Sequence, residues 1–584
     1  MKKINYLSII ITLLLILVAP IFSGLRAAQD TATPAIFDAM EKELLRAKNE
    51  LKLEEFGPPY FVGYTLRVQE GYSLNGSSGA IFSKTPINKS SLSVLIRVGS
   101  YQFDNYDPEE PGEIFPYSES SEEFFELLDA PLGADKNSRF ALRQRLWLLS
   151  DIAYKNAISS YLEKKAKQMR LLESEPIPDF SQEDPQVYIE PAKKFNFDGG
   201  FWKDVITREG AYLASFPEIR KHSINIRAYQ VRRYLLNSEG TQISDNSEFF
   251  ILIVECQALA IDGMPIRNFY TSYSRSLDDL PKPEEIRKGI SKMVEETLLL
   301  REAPVIEPYT GPALLDASVC GVFFHEAIGH RLEGERQRAH EEGQTFAKKL
   351  NEKIIPEFLN VVDDPTMLRW NNSDYLVGYY RYDDDGVKAQ KVTLIENGIL
   401  KNFLLSRTPI VGFSKSNGHG RAASFQKPMG RMANLMVLSN KTDKWENLKK
   451  KLIEMTRQNH LAFGLIIKKA TGGETLTQKV AIQAFRNRPV LIYKVDADTG
   501  EETLVRGAEI VGTPLVSINK IVATSDDYRV FNGMCGAESG FLPTSTVAPD
   551  ILVSEIELQK VSFKPNRPPI LKPPTAESSK GEDR

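Results

Sequence analysis

The spacing of apolar residues predicts both helices and strands in the first half of the chain. Apolar residues recur every three or four positions over 34–53 and 139–169, which predicts two amphipathic helices. Three runs are rich in β-branched and aromatic residues and are predicted to be strands: 91–104, 223–240 and 248–262. Turn residues separate the last two. This mixture of helix and antiparallel sheet predicts an α+β fold.

The second half is predicted to be richer in strands. A helix bounded by prolines, followed by an extended segment, predicts a domain boundary that separates an N-terminal α+β domain, 29–302, from a C-terminal domain, 303–562. Beyond it, Asn397-Gly398 predicts a tight hairpin turn, and a helix over 444–460 interrupts the strands. The tail, 563–584, is rich in proline and charge and predicts disorder.

The N-terminus predicts an export signal. Two lysines precede a continuous apolar run that ends in small residues, which predicts a signal peptide over 1–28 and a mature N-terminus near Gln29. The predicted location is therefore periplasmic or extracellular. The alternative is an uncleaved membrane anchor, because the run over 4–22 approaches the roughly 20 residues that cross a bilayer.

Composition narrows the class of protein. The chain is 584 residues long, 42% hydrophobic and 26% charged, which is typical of a soluble globular protein with a substantial core, here predicted as two large domains. A net charge of -4 argues against a nucleic-acid partner. Three cysteines are too few for a disulfide framework, and their odd number leaves at least one free thiol.

The sequence "GVFFHEAIGHRLEGER" carries the candidate chemistry. It resembles the zinc-peptidase motif H-E-x-x-H, but the second histidine, His330, follows His325 by five positions instead of four. An ideal helix would place these side chains about 140° apart, too far around the axis to hold one ion. A π-type widening or a helix break between them would bring them together, and Gly329 makes such a distortion easier.

A third metal ligand must come from elsewhere, because a catalytic zinc normally takes three protein ligands. Cys535 lies among glycines and small residues in "FNGMCGAESG" and is one candidate. Composition alone leaves other donors open: His222, His340, His419, His460, Glu333 and Glu335. Cys256 and Cys320 are predicted to be packed thiols. A disulfide between Cys320 and Cys535 is the alternative that would remove the thiolate.

One acidic cluster is not predicted to add a metal site. "RYDDDG", 381–386, lacks the alternating oxygen ligands and the distal glutamate of a calcium-binding loop. It predicts a solvated turn.

Several sequences in the second half together resemble one family. They are "FFHEAIGHRLEGER", "VVDDPT", "GRAASFQKPMGRMANLMVLS" and "NGMCGAESG", in this order along the chain. In these four sequences the chain resembles the TldD/PmbA family of metallopeptidases, and the resemblance is closest in its second half. The resemblance implies one Zn²⁺ per chain held by His325, His330 and Cys535, with Glu326 as the general base.

The resemblance also implies substrates and partners. The chain keeps every metal and base position, so it is similar to the catalytic type and is predicted to hydrolyse unfolded or extended peptides. Such peptides can dock by adding a strand to a sheet edge. Family members pair, so we expect a homodimer or a heterodimer with a relative that lacks the metal motif. No substrate-binding residue is assigned. The alternative is a non-catalytic peptide-binding or assembly protein with a structural metal site.

Overall fold

The structure is a computed structural model that describes residues 32–53, 55–108, 135–168, 177–339, 344–475 and 485–566, together with 569 and 571. The predicted signal peptide, 1–28, the expected mature N-terminus near Gln29, His340 and most of the predicted disordered tail lie outside these ranges. Within them, no helix has the length and apolar character needed to cross a membrane.

The first sheet contains six strands among the described residues. They are β1 (Phe61–Ser77), β2 (Ala80–Arg97), β3 (Val187–Ile189), β4 (Ile219–Asn237), β5 (Gln242–Leu259) and β6 (Pro265–Ser274). The order is β2-β1-β4-β5, with β3 and β6 both paired to β5. The ladders between β1, β2, β4, β5 and β6 are antiparallel, as the alternating apolar pattern predicts.

Four helices among the described residues cover one face of this sheet. They are α1 (Ala32–Glu50), α2 (Lys136–Gln168), α3 (Gly199–Ala214) and α4 (Pro283–Glu302). Buried residues at even-numbered positions of β4 face these helices. Ile226 packs in the cluster with α3 and α4, and Leu236 packs in the cluster with α1 and α2. Because successive strand residues point to opposite faces, the odd-numbered positions face the other half of the molecule.

The second sheet contains twelve strands among the described residues. Its strands, with two short two-stranded pairs beside it, are β7 (Tyr309–Leu315), β8 (Leu359–Asp363), β9 (Arg369–Trp370), β10 (Asp374–Tyr375), β11 (Val392–Glu396), β12 (Ile399–Leu400), β13 (Gly420–Arg421), β14 (Met429–Gly430), β15 (Asn434–Ser439), β16 (Thr442–Asp443), β17 (Phe463–Thr475), β18 (Phe485–Asp496), β19 (Glu502–Val505), β20 (Ala508–Gly512), β21 (Ile521–Ala537) and β22 (Gly540–Lys560). The pairings β22-β20-β18-β17-β7-β22 return to their starting strand, so this part of the sheet curves around on itself.

The described part of the second half contains three helices: α5 (Ala317–Ala327), α6 (Trp445–Gln458) and α7 (Pro514–Asn519). Helix α5 carries the histidine motif and packs inside the curve of the sheet, against β17, β21 and β22. Its apolar residues are at most 2% exposed, and most of them, including Phe323 and Phe324, belong to the largest hydrophobic cluster. The motif is therefore held on a helix that is buried all round.

Buried ion pairs join the two halves. Asp384 pairs with Arg67 and Arg233 from the first sheet, at 2.8 and 2.9 Å. The neighbouring Asp383 is 2% exposed and accepts the backbone N–H of Gly420. The prediction of a solvated turn at 381–386 is therefore wrong, because this turn lies in the interface, where arginine side chains satisfy its charge.

Two further arginines of the second half bind the segment that leads into β3. Arg338 donates to Asp179 Oδ1 at 2.9 Å and to the carbonyl oxygen of Pro178 at 2.9 Å. Arg407, 1% exposed, pairs with Glu239 at 2.6 Å and donates to the carbonyl oxygen of Ser181. The predicted boundary near residue 303 falls between α4 and β7, yet charged contacts cross it at several points.

The predicted α+β class is confirmed, with helix at 26% and strand at 42%. The predicted helices over 34–53 and 139–169 correspond to α1 and α2. Asn397 and Gly398 form the turn between β11 and β12 with positive φ angles of 49° and 77°, as a tight hairpin requires.

Candidate metal centre

The start of α5 is fixed by two carboxylates. Asp316 is the N-cap, and its side chain accepts the backbone N–H of Ser318 at 2.9 Å. Asp550, from β22, accepts the N–H of Ala317 at 2.7 Å. These bonds satisfy N–H groups that the helix itself leaves unpaired, and they anchor α5 to the sheet.

The helix breaks between the two histidines. Helix α5 ends at Ala327, Ile328 has φ -129° and ψ -38°, and Gly329–Leu332 form a 3-10 turn. The predicted distortion is confirmed in the form of a helix break, and no π-type widening appears in this segment. The side chain of Met432 lies against Gly329, where an added Cβ would come within 2.0 Å of its sulfur. Any larger residue at this position would require the side chain of Met432 to move.

Three donor side chains meet beside the break. Nε2 of His325 lies 3.1 Å from Sγ of Cys535, and Nε2 of His330 lies 3.4 Å from the same sulfur. One donor atom from each of the three residues lies within 4.8 Å of the others. The two imidazole rings are perpendicular, with centroids 5.0 Å apart. The structure thus brings together the three residues that the sequence assigned to a metal.

Cys535 reaches this position from a strand. It lies in β21 opposite Leu542 of β22, two residues before the strand ends. The three cysteines are free and buried, so the disulfide between Cys320 and Cys535 is ruled out. Cys320 donates to the carbonyl oxygen of Leu315, and Cys256 is fully buried, in agreement with their prediction as packed thiols.

The electrostatics of the cluster favour a thiolate. Burial alone would raise the pKa of Cys535, but the adjacent His330 and His325 outweigh burial and hold this pKa well below its usual range. Burial likewise opposes a charged His330, yet the thiolate of Cys535 and the carboxylate of Glu333 raise its pKa to about 10. A deprotonated sulfur is the form that binds a metal.

Glu333 and two arginines surround the ligands, and sequence reasoning did not give them these roles. Oε1 of Glu333 lies 3.1 Å from Nδ1 of His330, and Oε2 accepts from Nε of Arg336 at 2.7 Å. Burial alone would raise the pKa of Glu333, but His330 and Arg336 hold it well below its usual range. Arg431 contacts Glu333 and Cys535 from the other side. A carboxylate on the second nitrogen of a ligating histidine is the arrangement that fixes its ring.

Glu326 lies beside the three donors without joining them. It is 8% exposed, and no hydrogen bond to its carboxylate is found among the described residues. Burial raises its pKa, although the neighbouring histidines act in the opposite direction. Its backbone carbonyl accepts from Nη1 of Arg331 at 2.9 Å, which caps the end of α5 and holds the residue in place.

The other candidate donors lie away from the cluster. His222, in β4, accepts the N–H of Ser78, and His419 lies fully buried beside Asp363. His460 follows α6 with a positive φ of 55°. Glu335 accepts the N–H of Gly430 at 2.7 Å. His340 lies outside the described residues.

The candidate site opens into a large cavity between the two halves. The cavity has a volume of about 1460 Å³, and its lining includes His325, Glu326, His330 and Cys535. The opposite wall comes from β5 and β6, where Phe269 and Tyr273 lie. Small-molecule pockets usually measure roughly 300–1,000 Å³, so this cavity has room for a longer ligand.

Comparison with known proteins identifies the second half. Residues 308–560 match the family model described as the PmbA/TldA metallopeptidase C-terminal domain. The C-terminal half of the chain is a PmbA/TldD-family domain. It contains α5, β21 and all three clustered donors.

Curated relatives of this PmbA/TldD-family domain are named as metalloproteases. A metalloprotease of Methanocaldococcus jannaschii is 32% identical over 232 residues, which cover 39% of this chain and 46% of the relative. A zinc metalloprotease TldD homolog of Saccharolobus solfataricus is 28% identical over 349 residues, 59% of this chain and 72% of the relative. The chain spans 46% and 62% of the first two curated relatives that it matches, from M. jannaschii and Archaeoglobus fulgidus.

Solved structures show that the likeness in fold extends to both halves. A protein of Thermotoga maritima, described as a modulator of DNA gyrase, superposes with a TM-score of 0.58 at 16% identity. TldE from Thermococcus kodakarensis gives 0.58 at 14% identity. Each match covers 89% of this chain. The match covers 99% of the T. maritima protein and 100% of TldE. At these identities the comparison concerns the fold alone.

The three donors fit a zinc ion, the metal in the name of the S. solfataricus relative. Zinc bonds of about 2.3 Å to sulfur and 2.0 Å to nitrogen, meeting near a tetrahedral angle, place the two donor atoms about 3.5 Å apart. The sulfur lies 3.1 and 3.4 Å from the two nitrogens, close to that value. Two imidazoles and one thiolate are also donors that zinc prefers.

Proposed function

We propose that the protein is a zinc-dependent peptidase that hydrolyses unfolded or extended peptides. The observation that carries the proposal is the cluster of His325, His330 and Cys535, with Glu326 beside it and all four lining one cavity. Three protein ligands are the number typical of a catalytic zinc, whereas structural zinc sites usually have four.

The side chains around the cluster would then have separate tasks. The two imidazoles and the thiolate hold the ion, which when bound supplies Lewis acidity to a carbonyl group and to a water molecule. The carboxylate of Glu326 accepts a proton from the attacking water and delivers it to the amine nitrogen that leaves. Its raised pKa suits a group that must take up this proton and release it again. Glu333 keeps the ring of His330 in one orientation.

The edge of β6 in the cavity wall is suited to binding an extended substrate. Strand β6 pairs with β5 on one side, and no pairing on its other side is found among the described residues. Residues from Pro265 to Phe269, with Thr271 and Tyr273, line the cavity. A peptide that added to the free edge of β6 would be bound through its backbone, so its sequence would matter little. We propose this edge as the docking site.

The competing function is a peptide-binding or assembly protein whose metal site is structural. The two functions differ in whether Glu326 has a chemical task. Glu326→Gln keeps the size of the side chain and removes the base, so the peptidase proposal predicts full zinc content and a loss of turnover of at least about a hundredfold.

The experiment measures zinc per chain and cleavage of a short extended peptide in the same preparations. Glu255→Gln is the matched control, because Glu255 lines the same cavity from β5, away from the cluster. It should keep both zinc and most of the turnover. A Glu326→Gln protein that cleaves like wild type would show that Glu326 is not the base. A wild-type protein that holds zinc and cleaves no peptide would favour the structural site.

A further inference from the structure

Arg431 is among the most completely buried large side chains of the described residues. It is 1% exposed and lies in the short segment between β14 and β15. Its backbone N–H donates to the carbonyl oxygen of His419 at 3.0 Å, which fixes the main chain at this point. A buried guanidinium group is unfavourable unless its charge and its N–H groups find partners.

The partners of Arg431 include one candidate ligand and the support of another. Nη2 donates to Sγ of Cys535 at 3.2 Å and to the carbonyl oxygen of the same residue at 3.1 Å. Nη1 donates to Oγ of Ser539 at 2.9 Å. Nε lies 3.2 Å from Oε1 of Glu333, the oxygen that is 3.1 Å from Nδ1 of His330. One planar group therefore contacts the thiolate and the carboxylate that orients an imidazole.

We propose that Arg431 is a positioning residue of the metal centre, which aims the sulfur of Cys535 at the two imidazoles and fixes His330 through Glu333. The inference rests on the proposed function, because it gives Arg431 a task toward the zinc ion. An N–H donor on a thiolate also draws electron density from the sulfur, which makes the sulfur a weaker donor to the metal. Arg431 thus affects both the geometry and the electronic character of the centre.

A nearby arginine shows how a purely structural role differs. Arg421, 5% exposed, donates to the carbonyl oxygens of Met432 and Pro543, the latter at 2.8 Å. Within the described part of the chain, no hydrogen bond is found between Arg421 and the three donors. Arg421→Gln is therefore a matched control for the loss of a buried guanidinium group in the same region.

The test uses the full chain, freed of metal and then titrated with Co²⁺ in the absence of peptide. Absorption from thiolate-to-cobalt charge transfer reports directly on the sulfur, and competition with a chelator gives the affinity for zinc. Arg431→Gln should weaken zinc binding by about 10- to 100-fold, the usual effect of losing an outer partner of a ligand, because the lost orientation of the sulfur and of His330 outweighs the stronger donation from the sulfur. Its charge-transfer band should move to longer wavelength, because the sulfur has lost a hydrogen bond.

Two further variants separate geometry from folding. Arg431→Lys keeps the charge but cannot reach both groups, so its zinc affinity should lie between wild type and Arg431→Gln. If Arg431→Gln does not fold, Ser539→Ala removes the shorter of the two hydrogen bonds of Nη1, whose other partner is the carbonyl oxygen of Gly540, and should shift the same band in the same direction. Arg421→Gln should keep the wild-type band and affinity.

Wild-type affinity and an unshifted band in Arg431→Gln, or in Ser539→Ala, would overturn the assignment. An equal loss of affinity in Arg421→Gln would also overturn it, since the effect would then follow general destabilisation. Wild-type protein that binds Co²⁺ and zinc but cleaves no peptide counts against the peptidase proposal alone, because the band and the affinity are measured without substrate.

Discussion

Glu335 carries a pH dependence that can be worked out from its surroundings. It is 2% exposed, hydrogen-bonds to the hydroxyl of Ser406 and accepts the N–H of Gly430 at 2.7 Å. Burial raises its pKa from 4.5 to about 7, although these hydrogen bonds act in the opposite direction. The folded protein therefore prefers the neutral form of this side chain.

The sign and size of the effect follow from linkage. Because the folded-state pKa is the higher one, the stability that the neutral form contributes is complete below pH 4.5 and is lost as the pH rises through about 7. A pKa difference between 4.5 and about 7 corresponds to about 3 kcal/mol at pH 8. Wild type pays this amount to keep an ionised carboxylate buried.

Glu335→Gln tests the reasoning, because the amide is neutral at every pH. Its Nε2 can donate to Oγ of Ser406 while its carbonyl oxygen accepts from Gly430, as the protonated acid does. At pH 8 the variant should be more stable than wild type by up to about 3 kcal/mol, and at pH 5 by less than about 1 kcal/mol. The measurement is the urea unfolding midpoint of both proteins with a chelator present, from pH 5 to pH 8.

Glu333→Gln is the matched comparison, two residues earlier on the same segment. Its carboxylate is paired with Arg336 at 2.7 Å and lies 3.2 Å from Arg431. Loss of this charge should destabilise the protein at pH 8 by about 3–5 kcal/mol, since it removes the carboxylate that faces Arg431 and leaves Arg336 with Glu538 as its carboxylate partner. The reasoning about Glu335 is refuted if Glu335→Gln is no more stable than wild type at pH 8, or if its gain is the same at pH 5.

Two other substitutions test the helix break and the contact between the halves. Gly329→Ala places a methyl group against the sulfur of Met432, so we expect a loss of about 1–3 kcal/mol and weaker zinc binding, both partly restored by adding Met432→Ala. Zinc affinity equal to wild type in Gly329→Ala would show that the break does not depend on this packing. Arg233→Met removes the buried partner of Asp245 and leaves Asp384 with Arg67 alone, so it should destabilise the protein by about 3–5 kcal/mol in chemical unfolding. An unchanged unfolding midpoint would show that these ion pairs do not hold the halves together.

Local patterns account for the parts of the fold that could be predicted. The helices α1 and α2 are long enough for their apolar period to be unambiguous, and the Asn397-Gly398 turn depends on two residues that favour a positive φ. The placement of Cys535 within β21 was not visible, because glycines on both sides resemble a loop. Pairing with β22 over most of its length decides the conformation of that segment, and pairing is not a local property.

The residues of the candidate site also divide into those that the sequence indicates and those that only the folded structure reveals. The spacing of His325 and His330 predicted a distortion of the helix, since no regular helix could serve one ion. Resemblance to known sequences singled out Cys535. The roles of Glu333 and Arg431 depend on contacts between segments that lie about a hundred residues apart, and a buried charge has the same sequence appearance as a solvated one. The turn at 381–386 was misjudged for this reason.

The contacts of Arg338 and Arg407 bear on which N-terminal and C-terminal halves of related proteins can be combined in one chain. The two guanidinium groups lie in the half that carries the donors, but Asp179 and Glu239, which neutralise them, lie in the other half. A fragment that starts near residue 303 would retain both cations and lose both anions. The same mismatch would arise in a chimera whose N-terminal half came from a relative lacking these acids. Recombination between such chains is therefore constrained by this charge complementarity as well as by the two sheets.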